Sequence, residues 1–136
     1  MSLRAVARRD GDSVRHEIEA GGHTVVSDEP EAWGGTGTGP SPQELLAAAF
    51  ASCTATQIEM YARYRDWDIG PVEVEVEYDS HAEPKHFRLS VRLADDLPDE
   101  KVKRLKAAAR ACMVRQTLLG EVELEESVER ALPARS

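Results

Sequence analysis

Ser41-Pro42-Gln43-Glu44-Leu45-Leu46-Ala47-Ala48-Ala49-Phe50-Ala51-Ser52-Cys53-Thr54 decides how the chain is read. Ser41 is a good N-cap, because its hydroxyl can accept an orphan backbone N–H. Pro42 suits the first helical position, where no N–H is needed. Glu44 completes a Ser-x-x-Glu capping box. Leu45 to Ala51 contains no polar residue, so no face of the segment suits water. The pattern continues through Thr56, Met60 and Tyr64 to a stop at Gly70-Pro71. A helix over 41–65 would be roughly 37 Å long, more than a small subunit can cover alone. A homodimer is therefore expected.

Working outward, the preceding residues read as strands. Arg9-Asp10-Gly11-Asp12 is a turn between strands at 3–9 and 14–18, with Val14, His16 and Ile18 alternating with charged residues. Gly21-Gly22 turns the chain into a third strand, His23 to Ser27, which ends at Asp28-Glu29-Pro30. Gly34-Gly35-Thr36-Gly37-Thr38-Gly39-Pro40 then reads as a mobile linker. It lacks the lysine of a phosphate-binding loop.

Beyond the helix, Val72, Val74, Val76 and Tyr78 alternate with Glu73, Glu75 and Glu77, a half-buried strand with an acidic wet face. Phe87, Leu89, Val91 and Leu93 alternate with Arg88, Ser90 and Arg92 in the next, and the two charge sets can face each other if the strands pair. Val102, Leu105, Ala109 and Cys112 form one stripe of a second helix opened by Asp96-Leu97-Pro98-Asp99, with lysines and arginines on its other faces. Met113 to Leu118 turns the chain. Glu121 to Val128 reads as a last strand with Val122 and Leu124 inward. The order is β-β-β-α-β-β-α-β, an α+β class. No internal repeat or linker divides it, so 1–136 is expected to be a single domain.

The chain has 136 residues, of which 41% are hydrophobic, with a net charge of -8. That acidity, with no basic run interleaved with aromatics, excludes a general nucleic-acid binder. No apolar run reaches the ~20 residues of a membrane span, and Met1 to Arg9 has no signal-peptide core. A cytoplasmic location is expected, without nucleic-acid or membrane partners. There is no CxxC or HExxH, and His81 and His86 have no cysteine nearby in sequence, so no metal or other cofactor is expected. The absence of GxSxG excludes a nucleophile-elbow hydrolase.

The two cysteines, Cys53 and Cys112, are the remaining candidates. A static disulfide does not suit a reducing compartment, and free cysteines are commonly small core residues. Both fall on core-facing positions of the two long helices, however, and the helices are expected to touch. Paired thiols can run a peroxidase cycle: one is oxidised to a sulfenic acid, the other condenses with it, and a dithiol reductant restores both. Leu, Ala and Phe around Cys53 are expected to raise its pKa, so a cation must approach; Arg9, Arg15, Arg88 and Arg115 are the candidates. Gln43 and Glu44 lie about three turns before Cys53 and could orient an arginine or the peroxide.

Gly39 to Thr54 resembles the Pro-x-Glu-Leu-Leu…Cys helix of the OsmC/Ohr family, the osmotically inducible protein C and organic hydroperoxide resistance proteins. His23 through Pro30 with Gly34-Gly35 is similar to the preceding segment of the OsmC-like branch. Met60-Tyr61-Ala62-Arg63 and Val72-Glu73-Val74 also fit, and Cys112-Met113-Val114-Arg115-Gln116-Thr117-Leu118 resembles the second cysteine motif. The chain departs from the pattern at Met113-Val114-Arg115, where Pro-Val-His is usual. The resemblance implies two long central helices against sheets in an intertwined homodimer, with two active sites at the interface. It implies a thiol peroxidase acting on organic hydroperoxides. In that scheme Cys53 is peroxidatic and Cys112 resolving, and Glu44 with Arg15 forms the activating network. Gln43 competes for the glutamate position, and Arg9 for the arginine. The alternative is a dimer that binds a small hydrophobic ligand or senses redox state without turnover.

Overall fold

The computed structural model describes residues 2–134. Three short strands come first: β1 (Ala5–Arg9), β2 (His16–Ala20) and β3 (His23–Ser27). They form an antiparallel meander in the order β1-β2-β3. Gly21 and Gly22 both have positive φ, 57° and 79°, which closes the Ala20↔His23 pair with a two-residue turn that side chains disfavour. The sequence placed β2 two residues early. Val14 lies in the turn and is exposed.

A single 3-10 turn (Glu31–Trp33) leads towards α1 (Pro42–Tyr64). The capping box forms as expected: Glu44 N–H donates to Ser41 Oγ over 3.1 Å, and Ser41 N–H donates to Glu44 Oε1 over 3.0 Å. The far end of α1 stops earlier than the Gly70-Pro71 signal. Asp66 takes φ 55°, its N–H donates to Arg63 O, and Trp67 N–H donates to Ala62 O over 2.8 Å. This is a Schellman motif with aspartate where glycine is usual. Trp67 folds back on Tyr61, ring centroids 5.7 Å apart, in the apolar contact such a cap favours.

β4 (Val72–Asp79) and β5 (His86–Leu93) pair antiparallel from Val72↔Leu93 to Asp79↔His86. The expected cross-strand charges meet: Arg92 reaches Glu75 at 2.5 Å and Glu73 at 3.3 Å, and Arg88 reaches Glu77 at 3.8 Å. The inner face of this sheet lies on α1. Ile58 and Ala62 of α1 join Ile69 and, from α2 (Asp99–Ala109), Leu105 and Ala109 in the buried core, with Val72, Val74 and Leu93 against it. Phe50 packs edge-on against Phe87, which stacks on Tyr78. The architecture is α+β, with antiparallel sheets and the long helix central.

The C-terminal third departs from the expected order. α2 ends at Ala109, before Cys112, and residues read as a turn form a helix, α3 (Met113–Leu119). Glu121 to Val128 is not a strand. Val122 and Leu124 are 70% and 80% exposed rather than inward. Their alternation is strand-like, but a strand needs a paired edge, and among the described residues this segment pairs with none. No helix among the described residues is long and apolar enough to cross a membrane.

Candidate active site

Cys53 sits midway along α1 and is half-buried. Cys112 is fully buried at the joint between α2 and α3, off the helical stripe that the sequence suggested. Extended backbone at Cys112 (φ -58°, ψ 122°) breaks the helical run and makes this residue the N-cap of α3. Its sulfur accepts from Arg115 N–H over 3.4 Å, as a capping oxygen would. The break turns the thiol back towards α1. There Cys53 lies near enough to favour the Cys112 thiolate, and both cysteines are free thiols.

Burial pushes the Cys112 thiol up, but the donor groups around its sulfur, Cys53 first, then the Arg115 N–H, the Thr54 hydroxyl and the Val114 N–H, outweigh it. Together they hold its pKa below the ordinary cysteine value. The cause is general: a thiolate is favoured by every donor aimed at it.

The other expected site residues lie apart from the sulfurs. Glu44 is engaged in the capping box, and the Ser41 backbone and hydroxyl donors lower its carboxyl pKa against the raising effect of burial. Arg15 pairs with Asp10 at 2.8 Å and donates to the Thr38 hydroxyl. Arg9 bonds Gly11 O and Asp12, and Arg88 pairs with Glu77. No hydrogen bond or ion pair among the described residues joins Glu44 or Arg15 to a sulfur. Of the four candidate arginines, Arg115 lies against Cys112. Its N–H caps the sulfur, and its side chain lines a cavity of about 340 Å³ with Ile58, Leu89, Val91, Leu105 and Lys106. Ala49 and Met60, within about two turns of Cys53 along α1, are exposed in the single chain.

The glycine-rich stretch is a folded loop rather than a loose linker. The buried Asp28 carboxylate accepts from the N–H of Glu29, Thr36 and Thr38 and from both threonine hydroxyls. Sequence reading missed Asp28 because its partners come from the loop it organises. It missed Thr54 too, although that residue adjoins Cys53, because a threonine inside a helix gives no signal of its own.

Fold and site together define an α+β protein with two neighbouring free thiols between its long helix and a short one. The family model for OsmC-like proteins matches residues 35–127, and the chain belongs to that family. No curated protein matches. Among solved structures, a Psychrobacter arcticus protein named for osmotic stress induction and detoxification response shares 25% identity and a TM-score of 0.71. The match covers 83% of this chain and 85% of that one. The organic hydroperoxide resistance protein OhrB of Bacillus subtilis shares 25% identity and a TM-score of 0.54, over 90% and 94% of the two chains. An OsmC-like protein from Mycoplasma pneumoniae has 14% identity and a TM-score of 0.70, over 88% and 89%, a likeness of fold alone.

Proposed function

We propose that the chain is a thiol-dependent peroxidase that reduces organic hydroperoxides in cytoplasmic oxidative-stress defence. The observation that carries this reading is the pairing of two free thiols near enough to act on each other, Cys53 half-buried and Cys112 sealed. Accessibility divides the roles. Cys53 is the sulfur a peroxide can reach, and Cys112 the sulfur that waits beside it. The Cys53 thiolate attacks the distal peroxide oxygen, the O–O bond breaks, and the departing alkoxide takes a proton to become an alcohol. The Cys112 thiolate then attacks the resulting sulfenic acid, forming an S–S bond and expelling hydroxide. A dithiol reductant returns both thiols by exchange and leaves as its own disulfide. The name of the Bacillus subtilis relative supports the choice of hydroperoxide.

The working unit in this proposal is a homodimer. Within the apolar run Leu45 to Ala51 only Phe50 is buried, and Leu46, Ala48 and Ala49 are exposed in the single chain. A second copy would cover that face. Glu44 and Arg15, expected to activate Cys53, would need such a rearrangement to reach it.

The test is mass spectrometry after stoichiometric cumene hydroperoxide. A Cys53–Cys112 linked peptide, lighter by two hydrogens and restored by dithiothreitol, is the expected result. Persistence of both free thiols in excess hydroperoxide refutes the cycle and favours the ligand-binding alternative.

A further inference from the structure

Thr54 follows Cys53 on α1 and is fully buried. Threonines inside helices commonly return their hydroxyl to the carbonyl four residues back. Two here do so: Thr56 Oγ1 donates to Ser52 O over 2.8 Å and Thr117 Oγ1 to Met113 O over 3.1 Å. Thr54 does not. Among the described residues its Oγ1 is the only buried side-chain oxygen or nitrogen without a hydrogen-bond partner. A buried hydroxyl left so forfeits its hydration without full return, which calls for a reason. Thr54 lies on the buried face of α1, which packs on β4, α2 and α3, and there it favours the Cys112 thiolate.

We propose that Thr54 is a positioning residue of the dithiol, its buried hydroxyl kept off its own helix and left free to donate to the Cys112 sulfur once that thiol ionises. A thiol is a poor acceptor and a thiolate a good one, so the bond forms when Cys112 ionises. The hydroxyl keeps its proton throughout. It holds the Cys112 thiolate beside the adjacent residue, Cys53, for attack on the sulfenic sulfur, with hydroxide leaving as the S–S bond forms. Two neighbouring positions of one helix thus serve the pair, Cys53 as reacting sulfur and Thr54 as donor to its partner. Its meaning for turnover rests on the dithiol cycle proposed above, but its test needs no peroxide, so the two can fail separately.

The experiment titrates thiolate absorbance in a Cys53→Ser background, where Cys112 is the only thiol, with Thr54 intact or changed to Val or Ser. Thr54→Val keeps the shape and removes the donor. About tenfold less thiolate at a given pH below the titration midpoint is expected, the equivalent of roughly one unit in pKa. Thr54→Ser, which keeps the hydroxyl, should stay within about threefold of the parent. The melting temperature of Thr54→Val should hold or rise, since an apolar isostere removes an unsatisfied group. Coincident titrations with Thr54 intact and with Thr54→Val overturn the proposal, as do equal shifts for the Val and Ser variants, which would mark a packing effect. If Thr54→Val does not fold, Thr54→Ala against Thr54→Ser makes the same comparison.

Discussion

Asp28 and Thr38 are joined twice: the Thr38 N–H, at 3.1 Å, and its hydroxyl, at 3.0 Å, both donate to Asp28 Oδ2. The same hydroxyl accepts from the Arg15 guanidinium. The loop before α1 is thus tied to β3 through Asp28 and to the β1–β2 turn through Arg15. The Thr36 hydroxyl, followed by the Glu29, Thr38 and Thr36 N–H groups, holds the Asp28 carboxyl far below the usual carboxylate range, against the raising effect of burial.

A depressed folded-state pKa stabilises the fold above the unfolded carboxylate pKa of about 3.9, and that contribution is lost as pH falls towards the folded value. Melts taken from neutral pH down to about pH 3 should show stability declining across the acid end in the parent. Asp28→Asn should melt lower at neutral pH and show a flatter acid limb. Parallel limbs for the two proteins would place the acid sensitivity elsewhere.

Gly35 tests the same loop by volume. A Cβ there would overlap the Glu29 carbonyl and lie 2.6 Å from Asp28 Oδ1. Gly37 has φ 67° but open space around it. Gly35→Ala should therefore cost about 1–3 kcal/mol by overpacking, and Gly37→Ala only the left-handed strain of about 1 kcal/mol. Urea denaturation of both checks the order.

These contrasts show what the sequence could carry. Local rules sufficed for α1, where Ser41, Pro42 and Glu44 act within one turn, and for the β4–β5 ladder, where alternation places Glu73, Glu75 and Glu77 opposite Arg88 and Arg92. They failed where partners are distant or the signal residue is atypical. Asp28 depends on threonines eight and ten residues on. Asp66 ends α1 in a conformation usually marked by glycine. Cys112 continued an apolar stripe, and nothing in periodicity reveals that Arg110 caps α2 and that the thiol itself caps α3. The cysteine pair was legible as a pair; its donors were not. Val122 and Leu124 show that alternation gives a strand only where an edge exists to receive it.

Asp66→Gly should stabilise the protein. Aspartate sits there at positive φ and places a negative charge at the negative end of the α1 dipole. Glycine relieves both and gives back part through unfolded-state entropy. A net gain of a few tenths to about 1 kcal/mol is expected. A lower denaturation midpoint at unchanged slope would mean that the carboxylate contributes a contact worth more than the strain.

Leu105 is fully buried against Ile58 and Ala109 and also borders the cavity beside Arg115. Leu105→Ala should cost about 2–5 kcal/mol, measured by urea denaturation. A loss well under 1 kcal/mol would show that the core collapses around the deletion.

The last prediction concerns substrate choice. The cavity against Arg115 is walled by Ile58, Leu89, Val91, Leu93, Val102 and Leu105. Ile58 lies one helical turn beyond Thr54, and Arg115, whose N–H meets the Cys112 sulfur, lines the same cavity. An alkyl or aryl group that buries roughly 100 Å² there gains about 2.5 kcal/mol at ~25 cal/mol per Å². Realised in the transition state, this is nearly two decades in rate as an upper bound. Hydrogen peroxide has nothing to bury. Cumene and tert-butyl hydroperoxides should therefore oxidise Cys53 faster than hydrogen peroxide in stopped-flow measurements, with Cys53→Ser as the blank. Val91→Asp, which places a carboxylate on the wall, should erode the organic preference while leaving the hydrogen peroxide rate in place. Equal second-order constants for all three peroxides would remove the cavity from the mechanism, and an organic preference that survives Val91→Asp would place the alkyl group on another surface.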